Sequence, residues 1–437
     1  MTYSFMSPPN AGRFVLSNAT LPAVAVEGFN ALATEGLVRA DVVIESGFVS
    51  AILPAGSASP EIAKSDLREG MVWPCFADVH THLDKGHIWA RSSNPDGTFI
   101  GALQAVGNDR AAYWSADDVR KRMEFSLRSA YAHGTSVIRT HLDSAAPQHR
   151  ISFDVFCEVR DAWKDRIALQ AVALFPMDDM VDEVYFNDLV GVVRNAGGLM
   201  GGVTRMGPNL AWQLDTLFRA ATENGLDVDL HVDETDDPGA QTLKAIAEAV
   251  LRNRFKGKVT AGHCCSLARQ DDGIAERTVE LVAEAGISVI SLPMCNAYLQ
   301  DRQPNRTPRW RGVTLFKELA AAGVATAVAS DNTRDPFYAY GDLDAVEVFR
   351  EAVRILHLDH PLDTAARVVT TSPADIVGLA DTGRISIGKP ADLVLFSARR
   401  WSEFLSRPQS DRVVLRRGKV IDRSLPDYRE LDSVVGA

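Results

Sequence analysis

Between Cys75 and Asn332 short apolar runs alternate with longer stretches of helical periodicity, and no other feature of this 437-residue chain restricts its fold as tightly. Eight such runs can be counted: Phe76 to Leu83, Ser136 to Leu142, Ala168 to Phe175, Leu199 to Met206, Val228 to Val232, Val259 to His263, Ile287 to Met294 and Ala325 to Ser330. Most are apolar almost throughout, the pattern of strands covered on both faces. Between them Ala116 to His133, Phe153 to Asp165, Asp237 to Arg254 and Val313 to Ala322 read as helices. Repeated β-α units build a parallel sheet, and eight of them over about 260 residues predict an α/β fold of the (β/α)8 TIM-barrel type.

The two ends of the chain read differently. Residues 12–75 and 385–437 carry short β-branched runs broken by Gly and polar turns, such as LVRADVVIESGFVSAI and ADLVLFSARR. They predict one small β-sandwich domain assembled from both termini, so that residues 1–75 and 381–437 flank a barrel over 76–380. Asp plus Glu number 57 against 46 Lys plus Arg, a net charge of −11. Such a chain repels phosphate backbones and anionic lipid, which sets aside nucleic acid and membrane surfaces as partners. No run reaches the roughly 18 apolar residues of a spanning helix, and MTYSFMSPPNAG lacks the basic and apolar regions of a signal peptide. Five cysteines, two of them the adjacent Cys264 and Cys265, fit a reducing compartment, and the expected location is cytoplasmic.

Barrel enzymes carry their chemistry at the C-terminal ends of the strands. In this chain those ends hold His80 and His82, on one strand face by their i, i+2 spacing, then His231-Val-Asp-Glu234, then His263, then Asp331. Singly, each has an ordinary use: a lone histidine is commonly a hydrogen-bonded core residue, and an aspartate opening a loop commonly caps a turn. Three imidazoles and a carboxylate brought together at the strand ends of one barrel instead suit Zn²⁺ or Fe²⁺, with a position left for water. No G-x-G-x-x-G after a strand, G-x-x-x-x-G-K-[ST] or G-x-S-x-G offers a competing site.

FADVHTHLDKGH (Phe76 to His87), HVDETDD (His231 to Asp237), TAGHCC (Thr260 to Cys265), NAYLQDR with RWRGVTLFKEL (Asn296 to Leu319) and SDNTRDPFYAYG (Ser330 to Gly341) resemble the bacterial cytosine deaminase branch of the amidohydrolase superfamily. SPADIVGL and GKPADLVLF extend the resemblance towards the C-terminus. It implies one divalent metal ion per chain, zinc or iron, bound by His80, His82, His231 and Asp331. The fourth strand lacks the lysine that bridges two metals in other members. Glu234, His263 and Asp331 match the family's proton-handling residues. The implied activity is an aminohydrolase that attacks an aminated nitrogen heterocycle of cytosine, purine, pterin or triazine type with a metal-activated water, releasing ammonia and leaving a ring carbonyl. Hydrolysis of a cyclic amide or an N-alkylamine by the same site is the alternative, and relatives imply a homo-oligomer.

Three positions depart from the branch. Met177 stands where a glutamine grips the pyrimidine amide edge, Asn332 where a second aspartate follows the metal ligand, and Phe337 in place of a tryptophan. All three are expected to bind substrate, and a thioether offers almost no hydrogen bonding, so cytosine itself is expected to be a poor substrate and a larger, flatter ring a better one. Asp84 and Lys85 read equally as an ion pair behind the histidines or as substrate contacts. His141 and Asp143 end the second strand at the same rim. Arg309, Trp310 and Arg311 either cover the site or form a solvated loop.

Overall fold

The computed structural model describes residues 5–29 and 33–436. Two compact units emerge: residues 79–127, 138–343 and 427–437 form one, and residues up to 78 with 128–137 and 344–426 form the other. The helices between Asp344 and Pro426 therefore group with the terminal strands, and the last helix, Asp432–Val435, does not.

All eight expected runs contain strands: β1 (Phe76–Thr81), β2 (Thr135–Asp143), β3 (Ala168–Leu174), β4 (Met200–Val203), β5 (Val228–Val232), β6 (Val259–His263), β7 (Ser288–Ser291) and β8 (Thr326–Val328). Every residue of β1, β2, β5 and β6 is buried, which accounts for their unbroken apolar character. Strands β4 to β8 pair in sequence as a parallel sheet, and β1, β2 and β3 form a second sheet. Single parallel bridges, Thr81 to Asp331 on one side and Val172 to Leu199 and Pro176 to Val203 on the other, join the two. Gln148–Trp163, Thr242–Asn253 and Phe316–Ala321 place the expected helices within a few residues. Phe99–Tyr113 is a helix that was not expected. Gly101, Ala102, Val106 and Asp109 are its buried residues, while Ile100 and Leu103 are exposed, so it has no clean apolar stripe.

In the other unit Arg13–Pro22, Leu37–Glu45, Phe48–Pro54 and Lys64–Asp66 make one four-stranded sheet. Val72–Pro74, Leu393–Leu395, Val413–Arg416 and Lys419–Val420 make another. Leu16, Val42 and Ile44 of the first share a core with Val72, Leu393 and Leu415 of the second. Among the described residues no helix is long and apolar enough to cross a membrane.

Candidate active site

Strand β1 and the residue after it supply His80 and His82, β5 supplies His231, β6 ends in His263, and Asp331 follows β8. All five are buried. The backbone is left-handed where these strands end, with φ of +47° at Asp233, +69° at His263 and +63° at Asp331. Such angles in non-glycine residues cost of order 1–3 kcal/mol each and persist where the surroundings enforce them. At Asp233 the enforcement is visible. Its carboxylate accepts hydrogen bonds from the Thr242 amide (3.0 Å), the Thr242 hydroxyl (2.7 Å) and the Leu243 amide (3.0 Å), capping the helix Thr242–Asn253 and fixing the approach to Glu234.

The imidazoles converge through one nitrogen each. His231 Nε2 lies 3.2 Å from His80 Nε2 and 3.3 Å from His82 Nε2. Asp331 Oδ1 lies 3.1 Å from His82 Nε2 and 3.7 Å from His80 Nε2. A tetrahedral ion bound at about 2.0–2.1 Å to imidazole nitrogen spaces its ligand atoms about 3.3 Å apart. Three imidazoles and one carboxylate at such spacings could hold a divalent cation, and the ligand atoms of His80, His231, His263 and Asp331 all lie within 4.8 Å of one another. Burial first, and then neighbouring basic groups, hold His80, His82 and His231 far below the usual imidazole range, leaving the neutral form that binds metal. His263 also lies within reach of this cluster.

Beside the cluster stand Glu234, His263 and Asn296. Asn296 Nδ2 donates to His263 Nδ1 at 3.0 Å and contacts Glu234 Oε1 at 3.4 Å. Because His263 Nδ1 accepts, its ring proton sits on Nε2, an atom that is buried without a hydrogen-bond partner. Burial and the Lys85 charge bring the His263 pKa down to about 3, so the ring is neutral. Burial, and then the Asp331 charge, push Glu234 well above the ordinary carboxyl range. That shift favours the protonated carboxyl, the form that can donate a proton. Asn296, on the short helix Pro293–Leu299, was assigned no role from sequence; only its place at the head of the NAYLQDR string marked it.

A cavity of about 620 Å³ opens over these groups and is lined by His82, Lys85, His231, Glu234, His263 and Asp331. Asn332 and Phe337 also line it. Met177 does not: its side chain is 1% exposed and packs against Gly202, outside the lining. His141 is likewise buried rather than at the rim, its ring 4.0 Å from that of His80, whereas Asp143, two residues on, reaches the cavity. Lys85 and Asp143 both line the space, 3.5 Å apart, and Arg110 donates to Asp143 at 2.8 Å. Arg309, Trp310 and Arg311 lie outside the lining; the backbone amides of Arg309 and Trp310 donate to Asp301.

The sequence profile of the Amidohydro_3 amidohydrolase family matches residues 181–422. The chain is 76% identical over 437 residues, the whole of both proteins, to a pterin deaminase of Rhizobium rhizogenes (strain K84). It is 25% identical over 358 residues, 78% of this chain and 83% of the other, to an N-isopropylammelide isopropyl amidohydrolase of Pseudomonas sp. (strain ADP). Among solved structures, 5-methylcytosine deaminase from Klebsiella pneumoniae superposes with a TM-score of 0.79 at 23% identity, covering 95% of this chain and 98% of that one. The chain belongs to the amidohydrolase family and is a deaminase-like hydrolase of C–N bonds in aminated nitrogen heterocycles.

Proposed function

We propose that this protein is a pterin deaminase that uses one divalent metal ion, zinc or iron, held by His80, His82, His231 and Asp331. The observation that carries the chemistry is the convergence of three imidazole Nε2 atoms and one carboxylate at a cavity that also receives Glu234. The substrate class is supported by end-to-end identity of 76% with a pterin deaminase. The reading includes closure of the eight strands into a (β/α)8 barrel, a β-sandwich made by the two terminal sheets, and a cytoplasmic homo-oligomer.

Pterin, a 2-amino-4-oxopteridine, carries an amidine-like carbon between two ring nitrogens and the exocyclic amine. A cation held by His80, His82, His231 and Asp331 would lower the pKa of a water from about 15.7 towards 7 and so make hydroxide available at neutral pH. Glu234, whose protonated form burial and then the Asp331 charge favour, gives its proton to the ring nitrogen beside C2, which makes that carbon electrophilic. His263 presents Nε2–H to the oxygen arriving at C2, and Asn296 keeps it in that tautomer. The Asp331 carboxylate passes the oxygen's remaining proton to the amine, and the proton given up when the water ionises restores Glu234. Ammonia departs, and 2,4-dioxopteridine remains.

The test is ammonia release by metal-loaded protein from pterin and from cytosine, with metal content measured on the same sample. Rapid release from pterin, slow release from cytosine and about one ion per chain are expected. Equal turnover of the two substrates defeats the pterin assignment. Alkylamine release from an N-alkylated triazine with no ammonia from pterin shifts the reading to amine-releasing hydrolysis.

A further inference from the structure

We propose that Lys85 binds the ring oxo oxygen next to the attacked amidine and so selects 2-amino-4-oxo heterocycles over their 4-amino counterparts; the inference rests on the pterin-deaminase reading. Lys85 follows His82 by three residues and is 5% exposed. Its nearest carboxylate oxygen, Asp143 Oδ1, lies 3.5 Å from Nζ, beyond the length of an N–H···O bond. Nζ also stands 4.8 Å from the centroid of the Phe337 ring. An ammonium has three donors and no acceptor, and burying one without short bonds is costly unless a ligand completes it.

Asp143 cannot close the gap freely. Arg110 Nη1 holds its Oδ2 at 2.8 Å, and its backbone amide donates to Asp84 Oδ2 at 2.9 Å. Lys85 thus stands among the carboxylates of Asp143, Asp335, Asp84 and Asp331 without a short hydrogen bond to any of them among the described residues, on a lining shared with Glu234, Asp331 and Phe337. Of the cavity's other donors, Asn332 Nδ2 donates to Asp335 at 2.8 Å and Arg110 Nη1 to Asp143 at 2.8 Å, whereas Arg205 and the Thr235 hydroxyl lie towards solvent and His263 Nε2–H faces the metal cluster. Met177, at the position expected to read the amide edge, lies outside the cavity. Lys85, after the end of β1, is the buried cation on this lining whose nearest carboxylate oxygen is 3.5 Å away, and it is the donor we assign to the ring carbonyl. Phe337, packed edge-on against Phe99 at 5.4 Å, gives the flat ring an apolar wall beside that donor. An amino group at C4 would set donor against donor, and a site built for an acceptor rejects such an analogue strongly.

The experiment compares metal-loaded wild type and Lys85→Met on pterin and on 2,4-diaminopteridine, reading kcat/KM, or a competitive inhibition constant where turnover is too slow. Metal content and Tm are measured alongside. Lys85→Met is expected to lose about 100-fold on pterin and no more than about threefold on 2,4-diaminopteridine. Lys85→Gln, a neutral donor, should recover part of the loss on pterin alone. Equal losses on both compounds mean that Lys85 only supports the structure, and they overturn the proposal. Should Lys85→Met fail to fold, Lys85→Gln is judged by the same ratio: a loss confined to pterin supports the proposal and an equal loss overturns it. A wild type silent on both pteridines refutes the pterin reading itself and this inference with it, which distinguishes the two failures.

Discussion

Gly262 lies one residue before His263 in β6, and a methyl group there tests whether the His80 ring is held where a metal needs it. A Cβ at this position would sit 2.6 Å from His80 Cε1 and 2.9 Å from its Nδ1. Non-bonded carbons rest about 3.5–4.0 Å apart, so the imidazole must retreat by about 1 Å. It has little room to do so, with the His141 ring centroid 4.0 Å away. Moving Nε2 by that amount breaks the 3.2 Å separation from His231 Nε2. A displacement of about 1 Å at a reacting centre costs on the order of 100-fold in rate. Gly262→Ala is therefore expected to lower kcat/KM for ammonia release about 100-fold and to surrender its metal to a chelator at lower concentration, with a destabilisation of about 1–3 kcal/mol from overpacking. The assay pairs kcat/KM with metal content across a chelator titration, and Tm reports the fold. A Gly262→Ala protein that keeps both metal and rate shows that the ring position is not critical, and the geometric argument for the metal cluster fails.

Replacing Glu234 with Gln should leave metal content and Tm near wild type while lowering kcat by about 10²–10⁴-fold, because the amide occupies the same space without a transferable proton. Unchanged turnover would falsify the proton-shuttle role. In the other unit, burial raises the Asp344 pKa, but Arg412, bonded through both guanidinium nitrogens at 2.7 Å, and then His133 outweigh it and hold the carboxyl below its usual range. A depressed carboxyl pKa stabilises the fold above the unfolded value of about 4, and that contribution is lost as pH falls through the folded value. Asp344→Asn, which leaves the buried Arg412 its carbonyl partners but no compensating charge, should cost about 3–5 kcal/mol at pH 7. In denaturant titrations from pH 7 downward, the gap between wild type and Asp344→Asn should close as Asp344 protonates; a gap independent of pH would show that the charge contributes nothing.

The eight strands were legible because both faces of each are covered, which leaves unbroken apolar runs. The helix Phe99–Tyr113 was not, because it offers no single apolar stripe: Ala102 and Val106 are buried while Ile100 and Leu103 stay exposed and, with Val106, line the cavity. The metal-cluster side chains could be picked out by asking which polar residues end strands. The same question misplaced His141, since β2 continues to Asp143. Residues two apart share a strand face, so His141 sits one repeat deeper, under His80, and Asp143 takes the place at the cavity. Asn296 could not be read at all: its role depends on meeting His263, 33 residues away, and no local spacing encodes that meeting.

Met177 shows where likeness to a family stops carrying information. β3 ends at Leu174, Pro176 bridges to Val203, and the chain then enters a short 3-10 turn over Met177–Val181. The turn directs Met177 onto Gly202 and brings Asp179 to the cavity instead. Metal ligands tolerate no such change, because atoms about 3.3 Å apart must surround one ion whatever the substrate. Residues that recognise the ring face only the demand that some donor meet some acceptor, and any strand end around the cavity can supply it. A cavity that has lost its donor after β3 while holding an under-bonded ammonium after β1 is the arrangement expected when one hydrolytic centre is kept and the recognised edge of the ring is moved to another wall.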